Sequence, residues 1–336
     1  MMHVQVFSDA SVFDRLRPEW NALLADSAAD TLFLTWEWQS TWWRQLGEGD
    51  LLVLAVRDGG GRLAGIAPFY ATGEPGRRSL SLVGCEDVSD YLDIIARQGQ
   101  EGAVLAAVLD TLAGQPDAWD ELDLCNVPAA SPSLVHLPAL AQARGWQAVE
   151  TPEDVCPIIT LPATWDEYLA TLNKHQRHEA RRKLRKMQEE AQYAYHVYKD
   201  GPKLMAALDD FFVLHRLSHT DKARFMDERM AGFFRAITDV LGAAGWVELC
   251  LLTIDERPAA AMYNFRYHDQ VLVYNSGYDP AYRSNLSSGI VLLCLCIQDA
   301  IVRGLRVFDF LQGNEEYKYR FGGKDTQVRR LKVRRT

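Results

Sequence analysis

One series of secondary-structure signals occurs twice along the chain, and this repetition restricts the fold more than any other feature of the sequence. Each copy opens with two apolar segments joined by a short polar turn, at 51–72 and, about 190 residues later, at 246–267. The turns are Asp58-Gly59-Gly60-Gly61 and Asp255-Glu256-Arg257-Pro258. Apolar segments that flank a tight turn are typical of a β-hairpin. We therefore expect two hairpins.

Each predicted hairpin is followed by the same three signals: a further strand, an amphipathic helix and a closing strand. These segments are 78–84, 101–113 and 119–127 in the first copy, and 270–278, 288–303 and 305–313 in the second. The closing strands carry Asp123 and Asp309 at corresponding positions. The pattern predicts a duplicated α+β fold, in which each copy has a mixed, mostly antiparallel sheet flanked by helices.

The junction between the copies is predicted near 151–157, where two prolines and several acidic residues interrupt the periodicity. This gives an N-terminal domain at 1–152 and a C-terminal domain at 153–336. A basic helix at 172–191 and two further helices, near 203–219 and near 227–241, are predicted after the junction.

The charge of the chain is distributed unevenly between the two halves. Residues 1–150 contain 9 Arg, no Lys and 21 acidic residues, a net charge of -12. Residues 151–336 contain 27 basic and 24 acidic residues, a net charge of +3. An anionic ligand is therefore expected to bind the second half, and the acidic total of -9 gives no reason to expect DNA as a partner.

The location and the thiol chemistry are predicted from what the sequence lacks. No basic and apolar leader opens the chain, and the longest apolar run, 290–297, is far shorter than the roughly 20 residues that span a membrane. We expect a cytoplasmic protein with no integral membrane segment. No Cys-x-x-Cys pair or nearby histidine suggests a metal site, so we expect buried free thiols and no metal. The cysteines are Cys85, Cys125, Cys156, Cys250, Cys294 and Cys296.

Four stretches of the sequence resemble a known family. They are FLTWEWQSTWWRQLG (33–47), LHRLSH (214–219), YNSGYDPAYRSNLSSGIVLL (274–293) and GLRVFDFLQGNEEYKYRFGG (304–323). Their order, together with the repeated elements, resembles the tandem GNAT (N-acetyltransferase-like) architecture of the FemAB-like and CelD-like acyltransferases. The last two stretches carry most of the resemblance, and the first half of the chain matches weakly beyond its tryptophan cluster.

The resemblance implies an enzyme that moves an acyl group, acetyl or longer, from acyl-CoA to an amine or hydroxyl acceptor. In this family the acceptor is a small molecule or an envelope or exopolysaccharide precursor. Two alternatives stay open. One is a FemAB-like transferase that uses aminoacyl-tRNA, and the other is a non-catalytic duplicated GNAT-fold protein that binds an anionic sugar nucleotide or a partner protein.

Asp309, Lys318 and Tyr278 are the candidate catalytic residues. Asp309 ends a predicted strand, where a carboxylate could orient an amine or act as a base, especially if burial raises its pKa. A structural ion pair with Lys318 or Arg320 is the alternative. The resemblance implies that Lys318 stabilises charge near the transferred acyl group; the alternative is a solvated lysine among core aromatic residues. Tyr278 is a candidate general acid for the leaving group.

Arg283, Ser287, Ser288 and Gly289 are the candidate cofactor-binding residues. The resemblance implies that backbone N–H groups at this helix N-terminus hold the pyrophosphate of acyl-CoA, because unpaired donors and the helix dipole favour anions there. The segment departs from the usual Arg/Gln-x-x-Gly-x-Gly/Ala pattern, since Leu286 replaces the first glycine and Ser288 stands at the last position. The alternative is an N-cap at Ser287 and a packing role for Gly289.

Asp279, Tyr317, Arg320 and Arg181 are the candidate substrate-binding residues. Asp279 has a competing interpretation as a turn residue before Pro280. Arg181 belongs to a basic face of the helix at 172–191, which either contacts phosphates of tRNA or of an acceptor, or is simply solvated. The other members of that face are Lys174, Arg177, His178 and Arg185.

Two further groups have a functional and a structural interpretation. His215 and His219 have a spacing that metal sites use, but no glutamate lies between them and no third ligand is evident, so we expect a satisfied or surface pair. A tryptophan cluster either lines a sugar or lipid cleft or packs a helix onto the first sheet. Its members are Trp36, Trp38, Trp42 and Trp43.

Overall fold

The structure, a computed structural model, describes residues 2–85, 88–115 and 117–335. The chain divides into two compact units. Unit 1 contains Met1–Asp154 and Gln327–Thr336, and unit 2 contains Val155–Thr326. The C-terminal residues therefore belong to the first unit. The two units are not separated at one single position along the chain.

Unit 1 begins with a strand and two helices and continues with the first copy of the repeated elements. Its elements are β1 His3–Phe7, α1 Ser11–Ala25, α2 Trp36–Leu46, β2 Asp50–Arg57, β3 Leu63–Thr72, β4 Ser79–Leu82, β5 Ile95–Ala96, α3 Glu101–Ala113, β6 Glu121–Pro128 and α4 Pro132–Gln142, with a 3-10 helix at Leu32–Leu34.

The remaining elements belong to unit 2, except that β7 starts and β13 ends in unit 1. They are β7 Gln147–Thr160, α5 Trp165–Thr171, α6 Lys174–Glu190, β8 Tyr193–Tyr198, α7 Gly201–Ser218, α8 Thr220–Phe225, α9 Glu228–Ala243, β9 Val247–Ile254, β10 Arg257–Tyr267, β11 Gln270–Tyr278, α10 Ser288–Val302, β12 Val307–Asp309, α11 Glu316–Arg320 and β13 Lys324–Arg334, with a 3-10 helix at Ser284–Leu286.

Each unit contains a mixed, mostly antiparallel arrangement of strands, as predicted. The strand order is β1-β2-β3-β4-β6-β13 in unit 1, with β5 beside β3, and β7-β12-β11-β10-β9-β8 in unit 2. The described parallel pairs are β4 with β6 and β11 with β12. They occupy equivalent places in the two copies: Ser81 pairs with Asp123, and Leu272 pairs with Asp309. The predicted hairpins, third strands and duplication are therefore confirmed.

Helices cover both faces of the strands in unit 2. On one face, α10 packs on alternate residues such as Met262 and Val273 and forms the centre of the apolar core. On the other face, α7 and α9 supply Phe211 and Phe234, which contact Tyr263. The stretch Ser284–Val302 is long and apolar enough to be a candidate membrane span by length and composition, and 56% of it is buried inside the unit. Buried core helices share that property.

The tryptophan cluster of unit 1 forms packing contacts. Trp36 and Trp38 lie on α2 and are almost completely buried. The Nε1–H of Trp36 donates to the carbonyl of Phe13 at 2.7 Å, and that of Trp38 donates to the hydroxyl of Ser89 at 2.9 Å. Trp42 is also buried and its ring contacts that of Tyr70 in β3, with centroids 5.6 Å apart. These contacts favour the interpretation in which α2 packs against the strands of unit 1.

The prediction of free cysteines is wrong for one pair. Cys85 and Cys125 form a disulfide, with their Cα atoms 6.1 Å apart. The pairing follows from tertiary structure, because Cys85 comes soon after β4 and Cys125 lies in its parallel neighbour β6. No sequence spacing signals such a contact. The other four, Cys156, Cys250, Cys294 and Cys296, are free and buried as expected.

Asp93 is a buried carboxyl in unit 1 that the sequence did not single out. Burial raises its pKa to about 6, opposed by hydrogen bonds that its carboxylate accepts from Ser131, Ser133 and the N–H of Ile94. A raised pKa means that the folded state binds an extra proton between pH 3.8 and pH 6, so stability falls as pH rises through that window and then stays level.

We expect the Asp93→Asn variant to lack this pH dependence. Urea unfolding at pH 4, 5, 6 and 7 should show the wild type losing on the order of 2–3 kcal/mol relative to the variant as the pH rises, because each unit of pKa shift corresponds to about 1.4 kcal/mol. A difference between the two proteins that stays constant over this range would refute the proposed titration.

Candidate active site

The parallel pair β11–β12 separates after three residue pairs, and polar side chains gather beside the separation. β12 pairs with residues 270–272 of β11 only. Beyond Asp309 the chain bonds to β7 instead, since Phe310 donates to the carbonyl of Pro157 and Gly313 to that of Val155. Residues 273–278 of β11 therefore extend past the end of β12. A gap between diverging parallel strands exposes main-chain groups that a substrate can use.

A β-bulge decides which β11 side chains face α7. The register between β10 and β11 shifts so that Tyr274 is the extra residue, between the pairs Tyr263–Asn275 and Asn264–Val273. The bulge places both Tyr274 and Asn275 on the side of α7 and α9. Two residues later, Gly277 comes so close to α7 that a Cβ there would lie 2.3 Å from the backbone nitrogen of His215. Bulges commonly redirect side chains next to active sites.

His215 is buried and held by Asn275 in one tautomer. The side chain is 1% exposed, and Nε2 lies 2.9 Å from Oδ1 of Asn275. The N–H of Ser276 donates to the same Asn275 atom, so that atom is the amide oxygen and Nε2 carries the proton. Nδ1 therefore has a free electron pair, and no described residue donates a hydrogen bond to it.

His215 is neutral at physiological pH. Burial lowers its pKa to about 4, helped by the positive charge of Lys222. Lys222 is itself partly buried, and its Nζ donates to the carbonyl of Ser276, in the part of β11 that extends past the end of β12, at 2.5 Å. Burial lowers the pKa of Lys222, opposed by the carboxylate of Glu315. The imidazole is thus an unprotonated base with a cation nearby.

Lys318 is buried among main-chain carbonyl groups. The side chain is 3% exposed, and its Nζ donates to the carbonyls of Leu311, Gln312 and Gly313 at 3.2, 2.6 and 3.0 Å. The carboxylate of Glu315 lies 2.9 Å away. Lys318 is therefore neither solvated nor free of partners, and its ammonium fixes the loop that follows β12.

The loop fixed by Lys318 is strained next to Asp309. Leu311 has a φ of 56°, a left-handed conformation that is rare for a residue with a branched side chain. Its N–H donates to Oδ1 of Asp309 at 2.7 Å, and its carbonyl accepts from Lys318. Asp309 is buried, with 4% exposure. Strain of this kind persists only where surrounding contacts impose it, and it is concentrated at functional sites.

The first turn of α10 offers donors for an anion. Ser287 precedes the helix in a left-handed conformation, and the described structure contains no side-chain cap for the helix N-terminus. Nζ of Lys183, on α6, donates to the Ser287 hydroxyl at 2.8 Å. Burial lowers the pKa of Lys183. Lys183, Ser287, Ser288 and Gly289 thus combine a cation, hydroxyl groups and the positive end of a helix dipole.

A cavity of about 520 Å³ lies beside this turn. It is bounded by α6, the first turn of α10 and α11, and it includes Lys183, Ile290 and Arg320. Glu179 also lines it, and a hydrogen bond from Arg182 lowers the pKa of that carboxyl to about 2. The volume is in the range of ligand pockets.

The other predicted residues are distributed around this region. Tyr278 ends β11, is 43% exposed and lies against Gly289. Asp279 is buried and accepts hydrogen bonds from the N–H groups of Ala281 and Tyr282 and from Arg257, as its turn interpretation expects. Arg283 binds the carboxylate of Asp255.

Tyr317, Arg320 and Arg181 make different contacts. Tyr317 packs on the core and contacts Phe310, and burial raises its pKa. Arg320 pairs with Glu316 at 2.7 Å and faces the cavity. Arg181 is exposed and lies 3.5 Å from Asp166. The structure therefore brings together the α10 residues, Tyr278 and Arg320, whereas Arg181 is turned to solvent.

The histidine pair does not form a metal site. The ring of His219 is exposed and lies 3.4 Å from Asp221, while His215 is enclosed by α7 and β11. Within residues 2–85, 88–115 and 117–335, no group of three or more His, Cys, Asp or Glu side chains is placed to hold a metal ion.

Comparison with known families identifies the segment that carries this cluster. Residues 174–319 match the family described as "Acetyltransferase (GNAT) domain". Residues 174–319, somewhat less than half of the chain, are therefore similar to a GNAT acetyltransferase domain. The match runs from the start of α6 into α11, so it includes Lys183, His215 and Lys318. The predicted enzyme class, an acyltransferase of the GNAT superfamily, is thereby confirmed.

Several solved structures share the fold of this chain over nearly its whole length. FemX superposes with a TM-score of 0.66 at 12% identity, covering 94% of this chain and 95% of that one. L-PGS from Bacillus licheniformis gives 0.57 at 12% identity, covering 95% and 92%. A tandem GNAT protein from the clavulanic acid biosynthesis pathway gives 0.50 at 14% identity, covering 98% of both chains. No curated protein sequence matches significantly.

These structures confirm the predicted duplicated GNAT-like fold. They support the FemAB-like part of the predicted resemblance through FemX, while the CelD-like part stays a prediction. Three functional candidates were missed in the sequence: Lys183, Lys222 and the base role of His215. The basic helix and the LHRLSH stretch were the available signals, but which face of each helix meets β11 or α10 depends on tertiary packing.

Proposed function

We propose that unit 2 transfers an acyl group from acyl-CoA to an amine or hydroxyl acceptor. The single observation that carries this proposal is the uncapped first turn of α10, with Lys183 bound to Ser287 and the cavity beside it. Anions bind readily where backbone donors, a helix dipole and a lysine converge. Acyl-CoA supplies a thioester carbonyl that is open to nucleophilic attack and a pyrophosphate that this turn could hold.

The residues of unit 2 then have distinct proposed roles. Ser287, Ser288 and Gly289 bind the pyrophosphate together with Lys183, while Arg283 is held at the edge by Asp255. Tyr278, at the end of β11, is proposed as the acid that protonates the leaving thiolate. Its phenol is exposed and lies against the first turn of α10, which is compatible with that role.

His215 is proposed as the base that takes the proton of the acceptor. A general base must be unprotonated at the working pH, and the lowered pKa with a free Nδ1 meets this condition. Asp309 and Lys318 are proposed to shape the site through the strained loop at Leu311. Asp309 accepts a hydrogen bond from the N–H of Leu311, and Lys318 donates to its carbonyl. This is a positioning role for Lys318, since four oxygen atoms already surround its ammonium.

The acceptor is proposed to be a small molecule or a cell-envelope precursor, bound near Arg320 and Tyr317, with Asp279 fixing the adjacent turn. The cell-envelope part of this proposal is supported by the likeness of the fold to those of FemX and L-PGS. A role in exopolysaccharide biosynthesis and a cytoplasmic location remain predictions from the sequence.

We expect Lys183→Ala to weaken acetyl-CoA binding about tenfold, because a charge-assisted contact to phosphate is worth on the order of 1.5–3 kcal/mol. Isothermal titration calorimetry of the full chain checks this expectation. Arg185→Ala is the matched control, since Arg185 is 65% exposed on the same helix and pairs weakly with Glu189 at 3.8 Å. Equal affinities for the two variants would contradict the proposed donor site.

Aminoacyl-tRNA is the second candidate donor, favoured by the basic side chains of α6. Several of these remain solvent-exposed in the structure, Arg181 and Arg185 among them. Binding of tRNA that weakens steeply with salt, combined with no binding of acetyl-CoA, would favour this donor.

A further inference from the structure

A second polar cavity, in unit 1, is lined by arginine side chains and is independent of the GNAT domain. Its volume is about 750 Å³. Arg77 and Arg78 line it from the segment before β4, Arg334 and Arg335 from the end of β13, and Trp146 from the segment before β7. None of these residues lies within the stretch 174–319 that matches the acetyltransferase domain.

The charge of this cavity is opposite to that of the unit around it. Four guanidinium groups line it against two carboxylates, those of Asp120 and Glu121, which leaves a net charge of +2. The first 150 residues of the chain, which form most of unit 1, carry a net charge of -12. A local excess of cations on the cavity wall attracts anions to it.

The arginines differ in how far their own partners occupy them. Arg78 binds Asp50, and Arg334 binds Glu121. Arg77 is exposed, and within the described part of the chain its guanidinium has no hydrogen-bond or ion-pair partner. An anion can therefore bind this guanidinium without breaking an ion pair of the folded protein.

One aromatic side chain, that of Trp146, lines the cavity, and Trp119 packs behind it. Trp146 meets Trp119 edge to face, with ring centroids 5.1 Å apart. The guanidinium of Arg335 lies over the ring of the buried Trp119, 5.0 Å from its centroid. Trp146 remains partly exposed and lines the cavity, where its ring can contact a flat group of a ligand. Arginine forks suit phosphate oxygens, and an aromatic ring beside them suits a base.

We propose that this cavity binds a diphosphate ester, with the phosphates on Arg77 and Arg334 and an attached ring on Trp146. A diphosphate group is strongly anionic, so the net positive charge of the cavity favours its binding. A nucleoside diphosphate has such a ring, whereas inorganic pyrophosphate offers the two phosphate groups alone and serves as the probe without a ring. Binding here does not depend on the acyl transfer proposed for unit 2.

Calorimetric titration of the full chain with pyrophosphate and with ADP tests the proposal. Titrations are made on the Lys183→Ala background, so that the first turn of α10 contributes little. We expect both ligands to bind, and Arg77→Glu with Arg334→Ala to weaken each at least tenfold. Arg62→Ala is the control, because Arg62 is 68% exposed and pairs with Asp58 within its own hairpin.

The ring contact has its own readout. We expect ADP to bind more tightly than pyrophosphate, and Trp146→Leu to remove the difference while leaving pyrophosphate binding unchanged. Equal affinities for the two ligands in the wild-type cavity would overturn the contact with Trp146. Arg77→Glu alone disturbs no described side-chain contact, so it separates lost binding from lost folding. Pyrophosphate affinity unchanged by Arg77→Glu and by Arg334→Ala would overturn the whole proposal.

Discussion

Gly277→Ala is expected to destabilise unit 2 by about 3 kcal/mol or to prevent its folding, since overpacking of this kind costs 1–3 kcal/mol and sometimes more. A Cβ at this position would lie 2.3 Å from the nitrogen and 2.5 Å from the Cα of His215, and 2.5 Å from the carbonyl carbon of Leu214. These are backbone atoms of α7, so no rotamer change relieves the clash. The helix would have to move away from β11 and break the contact between His215 and Asn275.

Urea unfolding monitored by circular dichroism measures this effect, and Gly232→Ala is the matched control. Gly232 lies in α9, in the same unit, and nothing lies within 4 Å of the position a Cβ would take. Alanine favours helix over glycine by about 0.5–1 kcal/mol, so the control should be slightly more stable than the wild type. If Gly277→Ala were as stable as Gly232→Ala, α7 could not lie as close to β11 as the structure shows.

His215→Gln is expected to lower kcat about 100-fold while the protein stays folded, because a positioned general base contributes at least about that factor. Glutamine keeps a donor for Asn275 but has no basic nitrogen. The measurement is release of free CoA from acetyl-CoA in the presence of acceptor amines and alcohols. His219→Gln is the control, since His219 lies on the surface one turn along the chain and its ring is 63% exposed.

The pH profile distinguishes a base from a purely structural histidine. With the pKa of His215 near 4, kcat/KM should stay level down to about pH 5 and fall below it. Asn275→Asp places a carboxylate beside Nε2, which should raise the pKa of His215 by one to three units and move the acid limb upward by the same amount. An acid limb that does not move in Asn275→Asp, or a His215→Gln variant with full activity, would remove the histidine from the mechanism.

Much of the architecture could be predicted because it is encoded locally. The hairpins β2–β3 and β9–β10 have turn residues between apolar segments, and α10 follows a polar loop with an apolar helical run. The duplication could be recognised because these local signals recur in the same order. Asp123 and Asp309 were placed correctly at equivalent positions of the closing strands.

The parts that could not be predicted depend on contacts between distant residues. The closing strand predicted at 305–313 is only Val307–Asp309, because the left-handed Leu311 and the carbonyls bound by Lys318 turn the chain away. The short helix α11 was not predicted, since its aromatic residues resemble a strand as well as a core-packed turn. The bulge at Tyr274 has no sequence signal.

The spacing of charged residues predicted that α6 has a basic face, but it did not indicate which basic side chain contacts α10. Lys183 meets the first turn of α10, whereas Arg181, two residues earlier, faces solvent. The two side chains point in different directions because successive helical residues are rotated by about 100°. Only the packing of α6 against α10 distinguishes them.

Amide hydrogen exchange with and without saturating acetyl-CoA tests most directly whether the first turn of α10 holds an acyl donor. We expect slower exchange in peptides that cover 284–291 and 273–278, and no change in the hairpin 51–72. Lys183→Ala should reduce the protection at 284–291 at the same acetyl-CoA concentration. Protection confined to peptides outside unit 2, or none at all with saturating acetyl-CoA, would contradict the proposed donor site.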